Sequence, residues 1–240
     1  MLKIDMHIHS IASGHSISTV NEIVTQARRK RMTHIAIIEH GPSMVGAPHQ
    51  GYFWISDKLP RSFGALRVFY GCEANIIDSC GQLDLDEDKL RSQSIVLAGL
   101  HERTPYPCNL SRQENTNAIV NAMKNRAVSI ISHPIRPQFP IDIATVVEVA
   151  AQKRIILELN TQYIRSAVGT EYIDQYKLLI DYAKKYDAKL IINSDAHAHY
   201  FIGDDFVLRE LGKTLNLSNN LLLNFDSNNL EKILEEHKYE

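Results

Sequence analysis

The feature that most constrains this chain is a rhythm. Short apolar runs rich in β-branched residues alternate with amphipathic stretches, and almost every run ends on a residue type that ligates metals. The runs cover residues 2–9, 34–38, 66–71, 94–100, 128–132, 155–159 and 190–193. Ile35-Ala36-Ile37-Ile38 and Ile95-Val96-Leu97-Ala98 are apolar on consecutive positions. A strand covered on both faces reads this way, which argues for a parallel sheet. Between the runs, Val20, Ile23, Val24 and Ala27 recur with helical spacing, as do Ile143, Val146, Val147 and Ala150. Ser111-Arg112-Gln113-Glu114 has the form of a capping box and opens a helix that would bury Ala118, Ile119, Ala122 and Met123. Residues 172–186, 204–215 and 228–237 also read as helices. Residues 41–67, broken by Pro42, Gly46, Pro48 and Gly51, read as a long loop; its Tyr52-Phe53-Trp54 patch reads either as a lid that limits substrate size or, the favoured reading, as a pin holding the loop to the barrel. Seven strands alternating with helices in 240 residues imply a single α/β domain over 1–240. It is either a doubly wound sheet or a (β/α) barrel one unit short of eight.

Composition removes several function classes. Twenty-six Lys and Arg against 28 Asp and Glu give a net charge of -2, so no broad basic field exists to hold nucleic acid. No apolar run reaches the roughly 18 residues of a membrane span. Cys72, Cys80 and Cys108 form an odd set without C-x-x-C spacing, which argues against a disulfide framework and a cysteine-based zinc site. The opening Met1-Leu2-Lys3-Ile4-Asp5 lacks the order of a secretory signal. A cytoplasmic location is the expectation.

The chemistry is concentrated where the strands end. The first run ends in Asp5-Met6-His7-Ile8-His9, with His15 in the following loop, and the second in Glu39-His40. The third ends in Gly71-Cys72-Glu73, the fourth runs into His101, the fifth into Ser132-His133-Pro134, and the seventh into Asn193-Ser194-Asp195-Ala196-His197. C-terminal strand ends meet on one face in barrels and open parallel sheets, and that face carries the active site. A lone histidine at a strand end is more often a hydrogen-bonded surface residue than a ligand. Independent surface histidines, however, have no reason to choose the same rim. His7 and His9, at i and i+2, can reach one ion, and so can Asp195 and His197. Imidazoles and carboxylates suit zinc, manganese or iron. Nine ligands are too many for one tetrahedral ion and suit two or three, with Glu73 bridging a pair. Cys72 faces away from Glu73 and reads as core. Asp5 shares the strand parity of His7 and His9; it reads either as orienting an imidazole or as a buried, satisfied acid.

Asp5-x-His7-x-His9, Ala36-Ile37-Ile38-Glu39-His40-Gly41, Gly71-Cys72-Glu73, His101, Ser132-His133-Pro134 and Ser194-Asp195-Ala196-His197 resemble the motifs of the PHP (polymerase and histidinol phosphatase) superfamily. Their order is closest to the stand-alone bacterial YcdX-type phosphatases. The resemblance runs over nearly the whole chain and implies a distorted seven-stranded (β/α) barrel with a trinuclear metal site at its C-terminal rim. Carried onto this sequence, it implies one ion on His7, His9, Glu73 and Asp195, a second on Glu73, His101 and His133, and a third on His15, His40 and His197. Zinc is the commonest ion in this branch, and manganese or iron also occurs in the family. Position 39 is Glu where the family usually has Asp, and this side chain is expected to orient a neighbouring ligand.

The implied activity is hydrolysis of a small phosphate monoester by metal-bound hydroxide, with Glu73 and Asp195 as the catalytic carboxylates. Asp195 and a metal-bound water are both candidates to protonate the leaving group. Arg103, Arg136 and Arg165 are candidates for further phosphate contacts. A histidinol-phosphatase and a 3′–5′ exonuclease-like phosphoesterase are the enzyme alternatives; a non-catalytic, metal-binding regulatory module is the alternative of another class.

Overall fold

In the computed structural model, which describes residues 1–239, seven parallel strands lie side by side. Their order is β1 (Ile4–Ile8), β2 (His34–His40), β4 (Leu66–Asn75), β5 (Ile95–Gly99), β6 (Ile130–Ile131), β7 (Ile156–Asn160) and β8 (Leu190–Asn193), and the short β3 (Ser62–Phe63) pairs antiparallel with β4. The helices are α1 (Val20–Arg29), α2 (Glu87–Ser92), α3 (Arg112–Ala122), α4 (Ile143–Lys153), α5 (Thr161–Ala167), α6 (Tyr172–Tyr186) and α7 (Ser227–Tyr239). Capping boxes start α1 at Thr19 and Glu22 and α3 at Ser111 and Glu114, each satisfying backbone N–H groups that the first turn leaves unpaired.

The sheet closes into a barrel, and side chains make most of the final seam. Between β1 and the loop that follows β8, the described residues form one parallel bridge, Ile8 with Ala196, supported by His9 N–H donating to Ala196 O at 2.9 Å. Elsewhere on the seam amide side chains stand in for a ladder. Met6 N–H donates to Asn193 Oδ1 at 2.8 Å, and Asn224 donates to Ile4 O and Ile192 O while accepting from Ile192 N–H. The fold is therefore a distorted (β/α) barrel of seven strands rather than an open sheet.

Inside the barrel, Ile4, Met6, Ala36, Ile38, Ile95, Leu97, Ile130, Ile156 and Ile191 form one apolar cluster, closed from below by Leu223 and by Leu230, Ile233 and Leu234 of α7. The same inward rows turn polar toward the C-terminal rim, where His40 pairs in register with Glu73. In β1 the phase is changed by an irregularity. Asp5 lies opposite Ile35 and Ile8 opposite Ile37, so three steps on β1 span two on β2. Ile8, Ile35 and Ile37 pack outward with Ile23, Val24 and Ala27 of α1, whereas Met6 belongs to the inner cluster. The extra residue turns His7 and His9 inward, and Asp5 no longer shares their face. A bulge that re-aims side chains beside a functional site acts in this way.

Four segments differ from the sequence pattern. Residues 41–67 are not a plain loop, because 3-10 turns at Gln50–Trp54 and Ser56–Lys58 and the strand β3 organise them. Phe53 is buried, Gln93 donates to its carbonyl, and Trp54 stays exposed, so the aromatic patch does pin the segment. Residues 204–215 hold a wide π turn at Val207–Leu211 instead of a regular helix, its apolar residues Val207, Leu211 and Leu215 falling four apart and all buried. α2 and α5, too short to show a helical period, escape pattern reading.

Candidate metal centre

Glu73 sits at the middle of the rim with its two oxygens serving different neighbours. Oε1 lies 2.8 Å from His133 Nε2 and 3.1 Å from His101 Nε2, and those two nitrogens are 3.2 Å apart. Oε2 lies 3.3 Å from His7 Nε2, 3.5 Å from His9 Nε2 and 2.9 Å from His40 Nδ1. Asp195 Oδ1 completes the His7–His9 group, at 3.6 and 3.2 Å from their Nε2 atoms. On the other side of His40, its Nε2 is 3.3 Å from His15 Nε2, which is 2.9 Å from His197 Nε2. All nine donor residues singled out in the sequence, eight at strand ends and His15 in a loop, thus converge. His40 stands between two groups, one ring nitrogen toward Glu73 and the other toward His15. Sets with ligand atoms mutually within 4.8 Å include His7, His9 and Asp195; His40, Glu73 and His101; and His9, His40 and His197.

The donor set fits cations better than it fits itself. Glu73 Oε2 and Asp195 Oδ1 are buried and accept no hydrogen bond of acceptable geometry, despite imidazoles close by. A buried, unsatisfied carboxylate oxygen is costly. Each facing pair of Nε2 atoms has room for at most one proton between them. Burial disfavours charge at all these groups. At Glu73 the imidazoles of His7 and His101 outweigh it and hold the carboxyl well below its usual range. At Asp195, His7 and His9 do the same. Burial would also lower His7, but Glu158, Glu73 and Asp195 around it push it well above its ordinary value. Burial pushes His101 down to about 4 despite Glu73 beside it.

A ring of further residues fixes these side chains. Glu158 is fully buried; its Oε1 lies 2.7 Å from His7 Nδ1 and accepts from Asn193 Nδ2, while its Oε2 accepts His133 N–H at 2.8 Å. Asn160 Nδ2 donates to Asp195 Oδ2 at 3.0 Å. Sequence reading passed over Glu158, although a lone acid within Ile155-Ile156-Leu157-Glu158-Leu159 was a legible signal, because a charge in a fully buried strand needs a partner. Glu39 accepts from Ser10 Oγ and Ser13 Oγ, and Ser13 Oγ lies 3.0 Å from His9 Nδ1 and accepts His40 N–H. It therefore acts on the neighbouring ligands through serine. Asp5, turned away by the bulge, touches no imidazole; it accepts from Ser194 N–H at 3.0 Å and Gly203 N–H at 2.7 Å, tying the loop after β8 to β1. Cys72 is buried in the outer core, as its parity implied.

The backbone is under strain at two of the nine. His133 (φ 26°) and Asp195 (φ 52°) occupy the left-handed side that L-residues avoid, and such outliers persist where surrounding structure over-determines them. Gly99 has no room for a side chain. An added Cβ would lie 2.3 Å from Ser132 Oγ and about 3 Å from the His101 and His133 rings.

The remaining histidines stay outside the cluster. His199 lies 2.9 Å from Ser18 Oγ, His49 accepts Gly51 N–H, and His34 lies 3.0 Å from Glu231. Of the arginines considered, Arg103 is exposed and Arg165 pairs with Asp204 beside the Phe206 ring, while Arg136 is buried next to Tyr163. Among the described residues no helix is long and apolar enough to cross a membrane.

The PHP domain family model matches residues 5–205. A probable phosphatase of Clostridium novyi (strain NT) is 35% identical, over 95% of this chain and 92% of its own length. One from Tolumonas auensis is 35% identical, over 93% of each. Among solved structures, histidinol phosphate phosphatase from Lactococcus lactis, complexed with Zn, L-histidinol and phosphate, superposes with a TM-score of 0.64 at 17% identity. It covers 88% of this chain and 91% of that one. A putative histidinol phosphatase from Listeria monocytogenes gives a TM-score of 0.59 at 14% identity, over 86% and 99%. At those identities the likeness is one of fold.

Proposed function

The chain belongs to the PHP family, and on that premise we propose that it is a metal-dependent phosphatase acting on a small phosphate monoester at a three-ion centre. The observation that carries the reading is Glu73: both carboxylate oxygens lie among imidazole nitrogens, and Oε2 is buried without a hydrogen bond. His7, His9, Glu73 and Asp195 would hold one ion; Glu73, His101 and His133 a second; His15, His40 and His197 a third. Zinc is favoured, with manganese and iron as alternatives of the same donor chemistry. Divalent cations there would supply positive charge to the phosphoryl oxygens and lower the pKa of water at the site.

The protein's own residues prepare that chemistry. Glu158, Ser13 and the Asp195 carbonyl lie beside Nδ1 of His7, His9 and His197. Each would take the Nδ1–H and leave the Nε2 lone pair turned into the site. Asp195, whose carboxyl His7 and His9 hold below its ordinary range against burial, would serve as a ligand or proton acceptor in the resting enzyme. Glu73, its carboxyl likewise held low, joins two of the three groups. His15 is exposed and His197 partly so, whereas the other seven are buried, so substrate would enter over the third group.

The test is orthophosphate release from a panel of phosphate monoesters. Turnover should vanish on chelation and return with Zn2+, Mn2+ or Fe2+. A metal-loaded preparation that releases phosphate from none of them overturns the reading.

A further inference from the structure

Beside His133, the rim carries a charged group that the donor cluster does not use. Arg136 is only 7% exposed, and its guanidinium carbon lies 4.4 Å from the centre of the Tyr163 ring and 5.7 Å from that of Phe139. The Tyr163 ring is in turn 5.2 Å from the His133 ring. Arg136 Nη2 donates to Glu102 Oε2 at 3.2 Å, and Nε is buried with no partner. Glu102 directly follows His101, and its side chain is 47% exposed. A buried guanidinium is costly, and one long bond to a half-solvated carboxylate with two ring faces offsets only part of that cost. The arrangement is what a preorganised anion site looks like while a carboxylate of the protein itself occupies it.

We propose that Arg136, stacked on Tyr163, recognises a carboxylate on the leaving-group side of the substrate, and that Glu102 holds this position until substrate displaces it. The inference rests on the phosphatase reading above and names the substrate class: phosphate monoesters of hydroxy-carboxylic acids. A carboxylate matches the planar fork of arginine with two parallel bonds, and the group now held is itself a carboxylate. Tyr163 packs against both the Arg136 guanidinium and the His133 ring, and Arg136 contacts none of the nine donors, so the guanidinium would meet a part of the substrate other than the reacting phosphate. The reacting phosphate is thereby left to that cluster.

The experiment compares 3-phosphoglycerate with glycerol 3-phosphate, which carries a hydroxymethyl group in place of the carboxylate. In the metal-loaded full chain, kcat/KM should favour the glycerate ester by about tenfold or more, chiefly through KM, the scale of one charge-assisted hydrogen bond. Arg136→Gln should bring the ratio close to one, and Arg136→Lys should keep part of it. Glu102→Gln should raise kcat/KM for the glycerate ester several-fold by removing the competitor. Binding of glycerate alone, followed by calorimetry, should weaken by about tenfold in Arg136→Gln. A purely structural arginine would lower both esters together and leave the ratio intact, which overturns the proposal, as does a wild-type ratio near one. Arg136-dependent glycerate binding without any ester turnover would keep the subsite and sink the phosphatase reading. Turnover of both esters with no preference and unchanged glycerate binding would do the reverse.

Discussion

The two ends of the barrel interior are built from the same inward rows and held by opposite physics. At the lower end, Ile38, Leu97, Ile130, Ile156 and Ile191 interlock with each other and with α7. Farther along those rows stand His40, Gly99, Ser132, Glu158 and Asn193. The lower end is non-directional, each side chain contributing in proportion to the area it removes from water. The upper end is directional: removing one donor leaves neighbours charged, buried and unpaired. The strained backbone at His133 and Asp195 is found at the upper end. One pole stabilises the barrel, and the other holds groups that the barrel must force together.

The sharpest way to break this comparison is Glu73→Ala. Loss of the residue shared by two groups should remove more than one metal equivalent and lower turnover by more than about 100-fold, beyond what supporting residues usually cost. Elemental analysis beside the ester assay reads both, and a loss of one equivalent or less would count against the bridge. Glu158→Gln comes next. It keeps the volume but removes the charge beside His7 Nδ1, and an affinity loss of roughly 10- to 100-fold is expected in metal titrations. An unchanged affinity would make Glu158 a filler of the core. Gly99→Ala should act on one pair only, pushing His101 and His133 apart. One equivalent should go while the others remain, and loss of all three would mean that the groups are not separable. The smallest effect on the site is expected at the lower pole. Leu97→Ala should cost about 2–5 kcal/mol in denaturant unfolding and leave the metal content of the folded protein as it was.

The lower pole and the rim were legible in the sequence for different reasons. Consecutive apolar residues such as Ile35–Ile38 signal strands buried on both faces, and the histidines and carboxylates at strand ends signal a shared rim once those strands are taken as parallel. The phase of β1 was not legible. Strict alternation puts Asp5 beside His7 and His9, but the bulge depends on how β1 registers against β2, a long-range property that no local pattern encodes. The seam was hidden for a related reason, since Asn193 and Asn224 become surrogate backbone only when distant strands meet. Glu158 could have been found by asking what neutralises an acid in a buried strand. Arg136 stood among three arginines that chain position alone did not separate, and burial against Tyr163 separates them.

If donors from six strand ends and the His15 loop form three cation sites, metal stoichiometry will show it. The purified chain, saturated with zinc and freed of loosely bound ions, should retain three equivalents by elemental analysis, with anomalous scattering placing them around Glu73 and at His15–His197. Retention of one ion or none under the same conditions would contradict the account.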